Sequence, residues 1–389
     1  MVDFIVFSDD WGRHPSSSQH LFRRMPPGSR ALWVETIGLR PPRLTTYDAR
    51  RILEKVRGWI SPAATPAEPP WCETLPGLFR FAPPMHPFYG SPLGAATNDA
   101  LLTRLIRRRL AALGFERPVI VTTVPNACGL VGRLGEKAAV YYCVDDFETW
   151  PGYAGGAIRA MEARLLARVD GLVVTAAALG ERRGRPGLPL LSLPHGVDVE
   201  LFAAGGPRPS TLTGLPAPLL MSSGLYDERV DTELLGAVLD AHPTWHLALV
   251  GRRTAPPNPL DAHPRVRTLP GVPYTQVPAV LAAADVLLVP YRRNAQTDTI
   301  NPLKLREFLA TGRPVAATAL PEVVAACGDL VPTGDGPAAF GAAIERALAL
   351  APETAAARRA CVRPDAWEAR AALFFDFVAR VAAGRRDPA

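Results

Sequence analysis

The chain has 389 residues, of which 48% are hydrophobic and 21% charged, and its net charge is +6 at pH 7. This length is too great for one ordinary hydrophobic core and predicts two domains, while the composition excludes a disordered chain. The apolar runs are too short for a membrane span, and the acidic N-terminus disfavours a secretory signal. Five scattered cysteines without a CxxC pair disfavour a disulfide framework or a zinc site. A cytoplasmic location is therefore expected.

The first half of the chain alternates short apolar runs with helical patterns, which is typical of parallel sheets covered by helices. Its strands read as nearly continuous apolar segments, as expected when both faces of a sheet are covered. The predicted strands are Phe4–Phe7, Ala31–Glu35, Val119–Thr123, Ala139–Val144 and Leu172–Thr175, and the predicted helices are Asn98–Leu113, Gly156–Arg168 and Ala176–Arg182.

Nearly all of the net positive charge falls in the first 200 residues. Four arginines lie on the predicted helix Asn98–Leu113, namely Arg104, Arg107, Arg108 and Arg109. Such a cluster is either a solvated helix face or a surface for an anionic partner, such as phospholipid headgroups or a phosphorylated acceptor. No aromatic and basic groove accompanies the charge, so nucleic acid is not expected as a partner.

The alternation breaks at 203–218, a stretch of small residues and prolines that reads as a linker between domains. A second alternating series follows it. Its predicted strands are Leu219–Ser222, Trp245–Val250, Val266–Leu269, Val286–Pro290 and Val315–Thr318, and its predicted helices are Thr232–Ala241, Tyr274–Ala284 and Pro302–Thr311. The sequence therefore predicts an α/β fold with two doubly wound, Rossmann-like domains facing across a cleft, at 1–202 and 219–363. An amphipathic helix at 364–389 either caps the second domain or crosses back to the first.

The segment Asn301–Pro314 carries the most specific chemistry. Pro302 suits the first position of a helix, and a helix that starts at a strand-end loop presents free N–H groups that favour phosphate. Lys304 adds a full positive charge in the first turn, and Glu307 follows one turn later on roughly the same face. A carboxylate at that position can accept two hydrogen bonds from a ribose diol. The alternative is an ordinary amphipathic helix, but the pair matches the diphosphate and ribose of a nucleotide sugar.

The chain resembles a GT-B glycosyltransferase of the family 4 (group 1) type, close to teichuronic-acid and xanthan-type bacterial enzymes. The matching segments are NPLKLREFLATGRPVAAT, PGVPYTQVPAVLAAADVLLVPY, VDTELLGAVLDAHPTWHLALVGR, YYCVDDFETWPG, MEARLLARVDGLVVTAAAL and PHGVDVELF. They span most of the chain from Ala138 to Thr318, whereas the first ~130 residues match loosely. The resemblance implies that the N-terminal domain binds the acceptor and the C-terminal domain binds the nucleotide sugar.

By position, Glu307 resembles the second glutamate of the family's Glu-x7-Glu element, which holds the ribose. Thr299 stands where the first glutamate is expected, so the sugar and the stereochemical outcome stay open. The basic pair that holds the diphosphate in the family is also altered, with Arg229 and Lys304 as the candidates here. The full set predicted for the donor is Gly224, Arg229, Gly271, Val272, Tyr291, Thr299, Asn301, Pro302, Leu303, Lys304 and Glu307.

Two further groups of residues are assigned to the acceptor and to catalysis. Asp145 and Asp146 directly follow a predicted strand, where a carboxylate could act as general base or orient the acceptor, or could simply cap the next helix. The polar loop after the first strand supplies acceptor-side candidates, which are Trp11, His14, Ser17 and Gln19. No Asp-x-Asp element occurs in a strand context, so no metal and no resident cofactor are expected.

The predicted function is a metal-independent, hexosyltransferase-like enzyme that moves a sugar from a nucleotide-diphosphate sugar, with UDP favoured over GDP or dTDP, to a hydroxyl acceptor. Glycolipid, polysaccharide precursor and natural product remain open as acceptors, and the basic first half favours a lipid-linked one at the inner face of a bacterial plasma membrane. The alternatives are a nucleotide-sugar epimerase on the same fold and a non-catalytic scaffold partner of a transferase.

Overall fold

The computed structural model describes residues 2–13, 15–35, 75–85 and 91–384. The protein divides into two compact units, one formed by residues 1–193 with 371–389 and the other by residues 194–370. Each unit is built on its own parallel sheet.

The first unit contains a sheet that has seven strands in the described residues. These are β1 (Asp3–Ser8), β2 (Arg30–Glu35), β3 (Leu78–Phe81), β4 (Val119–Thr122), β5 (Ala138–Cys143), β6 (Gly171–Val174) and β7 (Leu190–Ser192). The helices between them are α1 (Ser17–Phe22), α2 (Pro92–Leu113), α3 (Gly155–Leu166) and α4 (Ala177–Arg183).

The strand order of this sheet is β3-β2-β1-β4-β5-β6-β7, and every pairing is parallel. The order reverses between β1 and β4, which is the switch point where open α/β sheets place ligands. The central strands β1, β4, β5 and β6 are buried almost throughout, which explains why their sequences read as continuous apolar runs.

The second unit repeats the same topology on a smaller scale. Its strands are β8 (Leu219–Ser223), β9 (His246–Val250), β10 (Val266–Leu269), β11 (Val286–Val289) and β12 (Val315–Ala317), in the order β10-β9-β8-β11-β12. Its helices are α5 (Val199–Ala204), α6 (Thr232–Ala241), α7 (Val277–Ala282), α8 (Leu303–Thr311), α9 (Pro321–Cys327), α10 (Pro337–Leu348) and α11 (Thr354–Val362). The switch point lies between β8 and β11.

The last helix, α12 (Trp367–Gly384), begins in the second unit and continues into the first. In the first unit its Phe374 and Phe375 rings pack on Phe22 of α1 and on side chains of β1 and β5. On the same helix, Phe375 is buried, whereas Leu373 is 48% exposed. Within the described ranges no helix combines the length and apolarity that crossing a membrane requires.

The α/β class and the two doubly wound sheets agree with the sequence analysis, and three details differ. The division between the units falls after Leu193, whereas 202 was predicted. The segment 203–218, predicted as a linker, belongs to the second unit because Leu212 is fully buried in its core beside Phe202. Strands β3 and β7 were not predicted, since four and three residues with half-exposed or exposed side chains give no clear apolar run.

Candidate active site

The carboxyl ends of β8 and β11 and the start of α8 converge at the switch point of the second sheet. Helix α8 begins at Leu303 with Pro302 as its N-cap residue, one residue later than predicted. Pro302 has no N–H and no side-chain cap, so the first amide groups of this nine-residue helix are left for a partner outside the helix. This is the arrangement that favours a bound anion.

Lys304, in the first turn of α8, lies among three elements of this switch point. Its Nζ is 5.1 Å from the centre of the ring of Tyr291, which lies two residues after the end of β11. It also reaches the backbone just beyond β8, where a Cβ on Gly224 would lie 3.4 Å from both the Cε and the Nζ of the lysine. Gly224 has a φ of +110°, which a larger residue rarely adopts. The missing side chain therefore leaves room for the lysine.

Arg229 brings a second positive charge to the same tyrosine, with its Cζ 5.5 Å from the ring centre. Asp227 fixes the guanidinium, because Nε donates to both carboxylate oxygens at 3.0 Å and Nη2 donates to Oδ2 at 2.6 Å. The backbone N–H of Arg292 also donates to the Arg229 carbonyl oxygen at 2.8 Å, which ties the loop to the strand end. The two cations predicted for the diphosphate thus lie around one aromatic ring.

Glu307 lies one turn after Lys304 and keeps part of its surface exposed. Burial of the carboxyl group raises its pKa to about 8. The negative charge of Asp198 adds to this rise, and the positive charge of Lys304 opposes it. Asp198 is the N-cap residue of α5 and accepts a hydrogen bond of 2.9 Å from the Tyr274 hydroxyl. Hydrogen bonds that ligand hydroxyl groups donate to the carboxylate would stabilise its ionised form.

Three glycines follow β8, β9 and β10 at this edge of the sheet, at positions 224, 251 and 271. A Cβ on Gly251 would lie only 1.7 Å from the carbonyl oxygen of Gly224, so these two backbones touch and no side chain fits between them. A Cβ on Gly271 would lie 3.6 Å from the backbone nitrogen of Arg252, and Val272 beside it is half-buried. Backbone groups therefore come close together at these strand ends, and recognition of a ligand by the loop at Gly271 and Val272 stays a prediction.

Two other predicted donor residues hold the loop before α8. Thr299 is buried, and its hydroxyl donates to the Gln296 carbonyl oxygen at 2.8 Å. The buried Asn301 donates to Glu322 of α9 at 2.7 Å and accepts from Arg306. Pro302 is buried and Leu303 half-buried. The side chains of Thr299 and Asn301 thus position the helix start, and a direct contact with a sugar stays a prediction.

In the first unit, the two predicted catalytic acids have different surroundings. Both carboxylate oxygens of the buried Asp146 accept from arginines, Oδ2 from Arg182 at 2.8 Å and Oδ1 from Arg183 at 2.7 Å. Arg183 in turn donates to Glu162 at 2.7 Å. This is the geometry of a structural ion pair, which argues against Asp146 as a general base. Asp145 lies half-buried at the end of β5, and its catalytic role stays a prediction.

The acceptor-side residues after β1 form a packed polar cluster. Trp11 is buried with its ring centre 4.7 Å from that of Trp33, and Ser17 is buried as the first residue of α1. Gln19 is fully buried, accepting from the Gly12 N–H at 3.1 Å and donating to Asp9 at 2.8 Å. His14 lies outside the described residues. These side chains shape the loop rather than present free polar groups.

Asp9 is a functional candidate that the sequence analysis missed. It directly follows β1 at the switch point of the first sheet, and its carboxylate accepts from Ser8 at 2.8 Å, Ser16 at 3.0 Å and Gln19 at 2.8 Å. Burial raises its pKa above the usual value, although these hydrogen bonds oppose the rise. The signal in the sequence was its position, the first residue after a buried strand, by which Asp145 was chosen.

Two further features belong to the described parts of the chain. No group of three or more His, Cys, Asp or Glu side chains there is placed to hold a metal ion. A groove of about 710 Å³ lies at the amino ends of β6 and β7, against α12, and so at the opposite edge of the first sheet from Asp9. It is lined by residues that include Arg185, Leu188 and Phe377.

Comparison with known proteins gives matches in sequence and in fold. The family model for glycosyl transferases group 1 matches residues 231–349, which include the Lys304 and Glu307 helix. A Bacillus subtilis (strain 168) protein named as a teichuronic acid biosynthesis glycosyltransferase is 28% identical over 208 residues. That match covers 49% of this chain and 51% of the relative, so the chain spans about half the length of the curated relative.

Solved structures match over nearly the whole chain. A sucrose-phosphate synthase from Thermosynechococcus elongatus has a TM-score of 0.71 at 16% identity, covering 98% of this chain and 100% of that one. A UDP-forming α,α-trehalose-phosphate synthase from Burkholderia vietnamiensis has a TM-score of 0.66 at 15% identity, with the same coverage. Identities this low show the fold alone. The chain therefore has the GT-B fold of these structures, and its residues 231–349 are similar to the group 1 glycosyl transferases.

Proposed function

We propose that this protein transfers a sugar from a nucleotide-diphosphate sugar to a hydroxyl group of an acceptor, without a bound metal. The observation that carries the proposal is the group at the β8/β11 switch point, where Lys304 and Arg229 lie around Tyr291 and Glu307 lies one turn away. In the reaction, the bond between the anomeric carbon and a diphosphate oxygen breaks and the acceptor oxygen takes its place. The two cations and the start of α8 stabilise the charge that develops on the leaving diphosphate.

The acceptor hydroxyl must lose a proton during transfer, and Asp9 is the group we propose to receive or orient it. The carboxylate lies at the switch point of the first sheet, and three side chains fix its position. A pKa above the usual aspartate value moves a carboxylate toward the range in which general bases are effective. The ion pairs of Asp146 with Arg182 and Arg183 leave this acid less suited to that task.

The rival functions find less support. An epimerase needs acid–base side chains around the sugar, but the residue in the first-glutamate position is Thr299, whose hydroxyl is used by its own turn. A scaffold has no need of two cations and a glutamate arranged for a diphosphate and a ribose. The family match points the same way.

We further propose UDP as the donor nucleotide and a lipid-linked acceptor in bacterial polysaccharide synthesis. Three of the solved structures with this fold carry UDP in their names, two as UDP-forming synthases and one bound to UDP-2-fluoro glucose. The B. subtilis relative is named for teichuronic acid biosynthesis.

The proposed place of action is the inner face of the plasma membrane, which the protein would reach through α2. The outer face of this helix exposes two leucines, Leu93 at 76% and Leu101 at 41%, in line with the exposed Arg104 and Arg108. Apolar and basic side chains on one helix face are the combination that binds anionic headgroups. Cytoplasmic location follows from the same proposal.

The test is a thermal-shift series of the purified protein with UDP, GDP and dTDP and their sugars, repeated with Glu307→Ala and Lys304→Ala. A ligand that binds only the folded state raises the melting temperature by mass action. We expect a shift with UDP that both variants reduce, and none of comparable size with GDP or dTDP. Arg267→Ala, which removes an exposed arginine of β10 in the same unit, serves as the control. No shift with any nucleotide would overturn the donor site.

A further inference from the structure

Two cysteines from separate helices of the second unit lie side by side. Cys327 is the last residue of α9, and Cys361 lies in the last turn of α11. The Cys361 thiol donates over 3.7 Å to the carbonyl oxygen of Ala326, the residue before Cys327, and the nearby Cys361 contributes to the raised pKa of the Cys327 thiol. Both are free thiols in this structure. The two thiols therefore lie near each other, one on each helix.

The two thiols differ in access. Cys327 is buried, with 6% of its surface exposed, and burial raises its pKa to about 12. Cys361 keeps part of its surface exposed. A small disulfide in solution can therefore reach Cys361, whereas Cys327 is reached only from Cys361.

The helices that carry these cysteines hold opposite ends of the donor helix α8. At its start, Glu322 of α9 accepts from Asn301 at 2.7 Å. At its end, Arg358 of α11 donates to the Gly312 carbonyl oxygen at 2.9 and 3.0 Å, and Arg359 donates to that of Thr311 at 2.9 Å. A covalent bond between α9 and α11 would close this frame around α8.

We propose that Cys327 and Cys361 form a reversible disulfide, made by exchange with a small disulfide such as oxidised glutathione, that locks the frame around α8. The Cys361 thiolate attacks one sulfur of oxidised glutathione, and one glutathione thiolate leaves and takes up a proton. Cys327 then loses its proton to solvent and attacks the Cys361 sulfur, which releases the second glutathione. Two protein thiols are oxidised, and one glutathione disulfide is reduced to two thiols.

This modification does not depend on the proposed transferase activity, since it needs only the thiol pair and the fold. A reducing glutathione pool would return both cysteines to thiols, as expected of a transient intracellular disulfide. The bond would restrict the unfolded chain between residues 327 and 361, so the oxidised protein should be more stable. The expected rise in melting temperature is on the order of 5 °C.

The experiment equilibrates the folded full-length protein in glutathione buffers of increasing ratio of oxidised to reduced form, traps free thiols with an alkylating reagent and maps the peptides by mass spectrometry. We expect one cross-linked peptide that joins Cys327 to Cys361, reversed by reduced glutathione. The buried Cys128 and Cys143 are internal controls that should stay alkylatable after unfolding. Cys361→Ser should lose both the cross-link and the rise in melting temperature.

Cys327→Ser separates the two steps, because it should retain a stable glutathione adduct on Cys361. In the wild type, a persistent adduct on Cys361, a bond from Cys361 to any other cysteine, or intact thiols at every ratio would each overturn the proposal. These outcomes are read from the wild-type protein, so they decide the question even where a variant folds poorly.

Discussion

Lys304 and Glu307 lie one turn apart on α8, and each suits a different part of a nucleotide sugar. The lysine brings its charge to the Tyr291 ring and to the backbone at Gly224, where a diphosphate would meet it. The glutamate has a pKa of about 8, because burial of its surroundings disfavours the charged form more than Lys304 favours it. Near neutral pH the ligand-free protein therefore carries this glutamate mostly protonated.

The raised pKa of Glu307 predicts that nucleotide affinity increases with pH. The ribose hydroxyls donate to the ionised carboxylate, so the affinity for UDP should rise up to about tenfold between pH 7 and pH 9. Titration calorimetry of wild type and Glu307→Gln checks this, since the variant should bind more weakly at pH 9 and lose this part of the slope. An unchanged slope in the variant would assign the pH dependence to another group.

The same shift has the opposite effect on the stability of the ligand-free protein. The folded state holds the Glu307 proton up to a pH of about 8, whereas the unfolded chain releases it near the usual glutamate value of 4.5. This contribution is therefore present at low pH and is lost as the pH rises toward 8. Urea unfolding of the wild type and Glu307→Gln over this range should show the difference between them grow with pH, in favour of the variant.

Asp9 provides a second prediction for a single residue, this time in the first unit. Asp9→Asn keeps the shape of the side chain and removes the base, so the rate of sugar transfer should fall about 100-fold or more. The affinity for UDP should stay unchanged, because the proposed nucleotide site consists of residues of the second unit. Asp10→Asn is the control, since Asp10 is the neighbouring acid in the same loop and its carboxylate pairs with Arg13 at 3.3 Å. Equal losses in the two variants would contradict a specific role for Asp9.

At the scale of single elements, buried polar contacts hold both ends of helix α8 in the second unit. Arg358 is 2% exposed, and both of its hydrogen bonds to the Gly312 carbonyl oxygen satisfy the end of α8. Burial lowers the pKa of this arginine, which reflects the cost of placing its charge there. At the other end, Asn301 and Arg306 join α8 to Glu322 of α9 and to Asp365, which follows α11.

Removing the buried contact at the end of α8 should destabilise the protein. Arg358→Ala leaves the Gly312 carbonyl without its partner and opens a cavity, so the free energy of unfolding should fall by about 2–4 kcal/mol. Arg359→Ala is the matched control, because Arg359 is exposed and donates a single hydrogen bond, and it should cost less than about 1 kcal/mol. Equal effects in urea unfolding would show that burial of Arg358 does not matter.

At the scale of the whole molecule, the excess of positive charge in the first 200 residues bears on the binding of an anionic partner rather than on the fold. The exposed leucines and arginines of α2 predict binding to vesicles that contain anionic lipid, and weaker binding as salt increases. Arg104→Ala with Arg108→Ala removes two charges worth about 1 kcal/mol each, so the partition coefficient should fall roughly thirtyfold. Arg267→Ala is the control in a sedimentation assay. Equal binding by the wild type and the double variant would show that α2 is not the contact with the membrane.

The sequence by itself determined the fold class, the strands of both sheet centres and the donor helix. Buried parallel strands are continuous apolar runs, and the helix start, its lysine and its glutamate lie within a few residues of each other, so local patterns suffice for them. The short strands β3 and β7 escaped prediction because sheet pairing, rather than their own composition, makes them strands.

Only the tertiary structure decided which side chains meet. The group at the second switch point comes from three separate segments, and the pairing of β8 with β11 brings them together: the loop with Gly224 and Arg229, Tyr291 after β11, and Lys304 of α8. The ion pairs of Asp146 with two arginines, and the hydrogen bonds of Asp9 with serines and a glutamine, likewise depend on distances in space. A sequence pattern specifies backbone periodicity, whereas hydrogen bonds and charge pairs form between residues that folding alone brings within reach.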